Sequence, residues 1–78
     1  MSWNYRVIKK ATKIPGGGID ITYIVHNVYH DENLDIVNIG KISLPVSDNV
    51  EGLKHNLKKM LEACKKSVID YNTGEEVN

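Results

Sequence analysis

The chain has 78 residues, with ten Lys and Arg against ten Asp and Glu, one Cys and a formal charge of zero. That length supports one small domain, a lone cysteine excludes a disulfide framework, and zero net charge removes any bulk attraction to nucleic acid or an anionic membrane. A chain this short buries only roughly 60% of the surface it exposes when unfolded, so each long apolar stripe must find a surface to rest on.

Met1 to Arg6 is polar and aromatic and lacks the apolar stretch of a leader, and no run approaches the roughly 20 apolar residues that a bilayer crossing takes; the expected location is the cytoplasm, with no membrane partner. Residues 2–14 alternate, with Trp3, Tyr5 and Val7 on one parity and Asn4, Arg6, Ile8 and Lys10 on the other, which predicts a first strand. Pro15-Gly16-Gly17-Gly18 interrupts it, because proline removes a ladder donor and glycine admits positive φ, so a hairpin loop is expected there. Residues 19–30 are rich in β-branched and aromatic types and predict a second strand. The turn formers Asp31-Glu32-Asn33-Leu34-Asp35 lead into a third strand from Ile36 to Leu44, in which Gly40 marks a bulge or bend, and Pro45 ends it.

Asp48-Asn49-Val50-Glu51 has the spacing of a capping box, with the Asp48 carboxylate accepting from the amide three residues on. It opens a helix over 49–66, whose Val50, Leu53, Leu57, Met60, Leu61, Cys64 and Val68 recur at steps of three and four and predict one apolar stripe facing the sheet. Val68-Ile69-Asp70-Tyr71 is extended in character and could add a short edge strand, whereas 72–78 lacks the apolar content to order it. The expected architecture is therefore a single α+β domain over 1–71: a three-stranded antiparallel meander, one amphipathic helix packed on one face, and a tail without order.

One helix covers one face of a sheet. A hairpin register with residue 14 opposite residue 18 sets Arg6 opposite His26 and Ile8 opposite Ile24, so residues of like parity share a face. The odd face, with Trp3, Tyr5, Val7, Ile21, Tyr23 and Val25, is the more apolar and is expected under the helix. The even face, with Arg6, Ile8, Thr22, Ile24, His26 and Val28, is then open, yet more apolar than a face meant only for water. A second copy or another protein docking there through Arg6, Ile24, His26 and Val28 is the reading this carries.

Other constellations yield bland readings. His26 and His30 on one strand stand roughly 13 Å apart, too far to share a metal ion, so His26 is expected as a hydrogen-bonded, partly buried imidazole and His30 as a solvent-facing residue. Cys64 in the helical stripe is a core residue, and the glycine run lacks the Lys-Ser/Thr and the helix of a phosphate loop. Trp3, Tyr5, Tyr23 and Tyr29 pack under the helix and leave no open stacking platform for bases. Five Lys against two Glu between Glu51 and Lys66, with Lys54, Lys58 and Lys65 among them, give a basic outer face, which is the alternative surface for an RNA or an acidic toxin. No paired carboxylates, metal set or cofactor motif emerges, so a non-catalytic module without cofactor is expected.

Ser2-Trp3-Asn4-Tyr5-Arg6-Val7, the stretch from Tyr23 through Val25-His26-Asn27-Val28-Tyr29-His30-Asp31 to Glu32, and the ending from Met60 to Tyr71 resemble a family of small bacterial proteins that begin Ser-Trp-Asn-Tyr-Arg-Val and have no assigned activity. The resemblance implies no chemistry. It places Arg6 and His26 in the family pattern, while Asn27 stands where the pattern has Glu, His30 where it has Tyr and Ser67 where it has Pro. In architecture the order of three strands, a helix and a final strand is also similar to HicB-type antitoxin domains, although Leu44-Pro45-Val46-Ser47 stands where those carry Pro-Gly-Cys.

Overall fold

A computed structural model describes residues 2–77, so Met1 of the expected domain and Asn78 of the expected tail lie outside the described residues. In chain order the elements are β1 (Ser2–Lys13), β2 (Ile19–His30), β3 (Ile36–Ile42), α1 (Val50–Ala63), β4 (Val68–Asp70) and β5 (Glu76–Val77). The fold is α+β. The meander β3-β2-β1 is antiparallel, as its alternation and turn chemistry predict, and the hairpin takes the expected register, with Arg6 opposite His26 and Ile8 opposite Ile24. Gly16, Gly17 and Gly18 all have positive φ, and the amide of Gly17 donates to the Ile14 carbonyl at 3.0 Å, closing the loop. The ladder between β2 and β3 slips around Gly40, where a Cβ would come within 2.8 Å of the Tyr29 ring, so the expected bulge is present and requires glycine.

Two features extend the sheet beyond a meander. β4 pairs with β1 in parallel, Ile69 beside Ile8, which makes β1 an interior strand, and β5 then pairs antiparallel with β4, so the order is β3-β2-β1-β4-β5. The predicted extended segment at 68–71 thus joins the sheet without being its edge. The tail expected to lack order instead turns at Asp70, whose carboxylate accepts from the amides of Asn72 and Thr73, and returns as β5. An Asx turn supplied the order that apolar content did not.

Since β3 and β4 both run parallel to β1, α1 is a crossover between them, and a right-handed crossover puts it on the odd face. There it lies against the start of β1, with Trp3 and Tyr5 of the strand and Lys59, Glu62, Ala63 and Lys66 of the helix lining one shallow cleft. Its N-cap is Asn49 rather than Asp48: the Asn49 side-chain oxygen accepts from the Gly52 amide at 2.7 Å, and the helix ends at Ala63. Fourteen residues make a helix about 21 Å long, whereas the twelve of β1 and of β2 extend about 40 Å, so α1 shelters only half the length of the hairpin.

The even face closes in a different way. Ile8, Val28 and Ile69 are fully buried there, and Ile36 and Ile39 of β3 pack against them. Three strand positions separate β3 from β4, about 14 Å on a flat sheet, yet Ile36 and Ile39 share a cleft with Tyr71, Thr73 and Gly74 from the turn after β4. The sheet therefore curls towards its even side and encloses its own core. An Ile69→Ala substitution tests the role of β4: the vacated space should cost about 2–4 kcal/mol in urea unfolding, a loss no residue of a loose tail would produce.

Candidate functional site

The even-parity residues assigned to an open docking face sit in the closed one. Arg6, His26 and Val28 are buried and Ile24 is half-buried, because the curl of the sheet and the arrival of β4 and β5 cover them from within the chain. Arg6 is 6% exposed. One of its Nη groups donates to the Ser67 carbonyl at 2.6 Å, to the Ser67 hydroxyl at 3.2 Å and to the Glu76 carboxylate at 2.9 Å, fastening the C-terminal strand pair to β1. Its Nε has no acceptor among the described residues. A side chain held so completely cannot present itself to a partner.

The histidines are equally internal. His26 Nδ1 lies 3.0 Å from the Gly40 carbonyl and so donates to it, as expected of a buried imidazole. His30 was expected to face solvent; instead it is buried, because Leu34, at φ +64°, turns its carbonyl to within 3.3 Å of Nδ1 and the Asn4 side chain closes over Nε2 at 3.1 Å. Both ring nitrogens thus face oxygens, Nδ1 the Leu34 carbonyl and Nε2 the Asn4 Oδ1. The row Arg6, His26, His30 is a set of hydrogen-bonded fasteners between strands and turns. Among the described residues no group of three His, Cys, Asp or Glu side chains could hold a metal ion.

The uncovered surface is on the odd side. β4 reaches β1 only at Ile8 and Lys9, and β3 reaches β2 only from the level of Val25 onward, so residues 10–24 project as a two-stranded arm without sheet neighbours. Its even side carries Lys10, Thr12, Asp20 and Thr22, with half-buried Ile24 at its base, while its odd side sets Ile19, Ile21 and Tyr23 in one row beside Lys13, Ala11 and Lys9. Those three apolar residues, expected at least in part beneath the helix, are exposed, Tyr23 by 61%, because α1 ends its shelter short of them. Tyr5 is half-buried and Trp3 is exposed, the two rings meeting edge to face at 5.2 Å.

The helix adds to this surface because it is rotated from the expected orientation. Met60 and Ala63 are buried and Leu53 is half-buried, but Val50, Leu57, Leu61 and Cys64 are exposed. At about 100° per residue these four share one row, roughly a quarter-turn from the line of Met60 and Ala63, so the apolar arc is wider than the contact it makes. The expected core role of Cys64 fails for that reason. Lys54, Lys58 and Lys65 occupy the solvent side as expected, and two of them are ion-paired: Lys54 with Glu51 at 3.6 Å and Lys65 with Glu62 at 3.3 Å.

No protein-family model, curated protein or solved structure matches this chain, so its site is argued from its own geometry. Among the described residues, no helix is long and apolar enough to cross a membrane.

The Arg6 fastener makes stability depend on pH in a defined direction. The hydrogen bond from Arg6, then that from Ser67, then the positive charge of Arg6 hold the Glu76 carboxyl below its ordinary 4.5, against a small opposing effect of burial. A carboxyl depressed in the folded state contributes stability above its unfolded value and loses it as pH falls through the folded one. The urea midpoint of the wild type should therefore decline below about pH 4.5, and Glu76→Gln should start lower at pH 7 and decline less steeply. Arg6→Ala should cost about 1–3 kcal/mol at pH 7, read from the same unfolding curves.

Proposed function

We propose that the chain is a small, non-catalytic protein-interaction module that works through its odd face, the side carrying the arm and the flank of α1. The observation behind this reading is the one-sidedness of the arm. Strict alternation of apolar and polar residues from Ile19 to Tyr23 is the pattern of a strand with one face covered, yet nothing among the described residues covers that face. A two-stranded ribbon is marginally stable in water by itself, so an arm of this length with its apolar side exposed is stabilised by what it docks against.

The alternative basic face on α1 has less behind it, since two of its three named lysines are already ion-paired, and exposed pairs of that kind leave little net field.

Size fractionation of a lysate of the source cell tests the reading. The wild-type chain should run in a particle well above its 8.8 kDa, and the double variant Ile21→Asp, Tyr23→Asp should shift to the size of the free chain with an unchanged circular dichroism spectrum. Both forms running as free chains would overturn it.

A further inference from the structure

Resting on the interaction reading above, we infer that the occupant of the odd face is a second copy of this chain, related by a two-fold axis so that the arm of each copy lies along the exposed flank of the other's α1.

The area argues for it first. A compact monomer of this mass exposes about 4,800 Å² by the scaling of surface with mass. This chain exposes 5884 Å². The surplus is about 1,100 Å², and a standard interface hides about 800 Å² on each partner, so one interface restores an ordinary ratio of surface to mass. Dimensions agree: the radius of gyration is 14.0 Å, and the long axis of 44 Å against a short one of 19 Å reflects the projecting arm. A compact domain of 78 residues has a radius of gyration of about 11.5 Å.

The self-complementarity argues for it second. Each chain carries two apolar features on one side of its sheet that cannot meet within the chain: the ribbon of Ile19, Ile21 and Tyr23, and the helical row of Leu57 and Leu61. α1 lies over the opposite half of the hairpin from the arm, and it spans about half of a strand some 40 Å long. An inverted second copy brings its own helix to the half that lacks one. Contacts then come in equal pairs, arm to helix and helix to arm, as an isologous interface requires. The apolar row points sideways rather than outward, so the partner's arm lies beside α1, and the lysine-bearing side, with Lys54, Lys58 and Lys65, stays in water.

Stability argues for it third. Among the described residues the buried apolar side chains are Ile8, Val28, Met60, Ala63 and Ile69, a small core for a chain of this length. A permanent second copy shares its apolar surface as a core divided between two chains.

Sedimentation equilibrium of the purified chain should give twice 8.8 kDa. Ile21→Asp and, separately, Leu61→Asp should each weaken the dimer about thirtyfold or more, as loss of a central apolar anchor does, and both positions are exposed, so the monomer fold survives. Cys64 supplies a probe already in place: Tyr23→Cys should give an oxidised, covalently linked pair in non-reducing electrophoresis, and adding Cys64→Ser should remove that arm-to-helix link. A purified chain that stays at the monomer mass across micromolar concentrations, or a dimer indifferent to both aspartates, would overturn the second-copy assignment. A monomer when pure that is a larger particle in lysate would do so while leaving the interaction reading intact.

Discussion

The packing of Ile69 on Ile8 and Val28 is the contact on which the rest of the architecture turns. It makes β1 an interior strand with an antiparallel neighbour on one side and a parallel one on the other. Without β4, Arg6 would lose the acceptors that Ser67 and Glu76 bring to it. With it, the even side curls, β5 follows, and Arg6 is enclosed between Ser67 and Glu76. Three fully buried apolar residues are a modest core, so the polar row around them bears much of the burden of defining one arrangement. Each of Arg6, His26 and His30 is buried with hydrogen bonds made across strands or to a turn, and any sliding of β3 or β4 would strand those groups without partners.

That closure sets the two sides of the sheet apart. The even side is closed: Ile8, Val28 and Ile69 touch one another, and Arg6, His26 and His30 are buried with hydrogen bonds, although Arg6 Nε lacks an acceptor among the described residues. The odd side is partly open, since among the described residues the element that covers it is a helix half as long as the strands beneath it. Extra apolar surface on α1 does not go to waste on the chain's own sheet, because Leu57 and Leu61 look past it. Ile19, Ile21 and Tyr23 of the arm and Leu57 and Leu61 of the helix are exposed in rows, whereas apolar residues exposed singly, such as Leu34 and Val46, need no explanation.

Local chemistry made the strands, the hairpin register and the Gly40 bulge legible in the sequence. Alternation with period two, the Pro15-Gly18 turn and the tight space against Tyr29 act over a few residues, and the structure obeys them. What was illegible depends on contacts far apart along the chain. Arg6 looks like a surface residue of a mixed face until Ser67 and Glu76, 61 and 70 positions away, come to it. His30 is buried by a carbonyl that Leu34 turns inward with a positive φ, which no propensity assigns to leucine. The helical stripe predicted an amphipathic helix correctly and its rotation incorrectly, because Ala63, not Cys64, sits nearest β1 and a small residue leaves no mark in a hydrophobic pattern. The surface expected to be open and the surface found open are therefore opposite faces of one sheet. Parity alone identifies which residues share a face and says nothing about which face the sheet will bend around.

The parallel pairing of β1 with β4 has a temporal consequence. Ribosomes make β1 well before β4, so on the nascent hairpin Ile8 must wait uncovered until Ile69 emerges. Over that interval the even side of the hairpin is open, and the positive charges of Arg6 and Lys10 on that side oppose adhesion between neighbouring nascent chains.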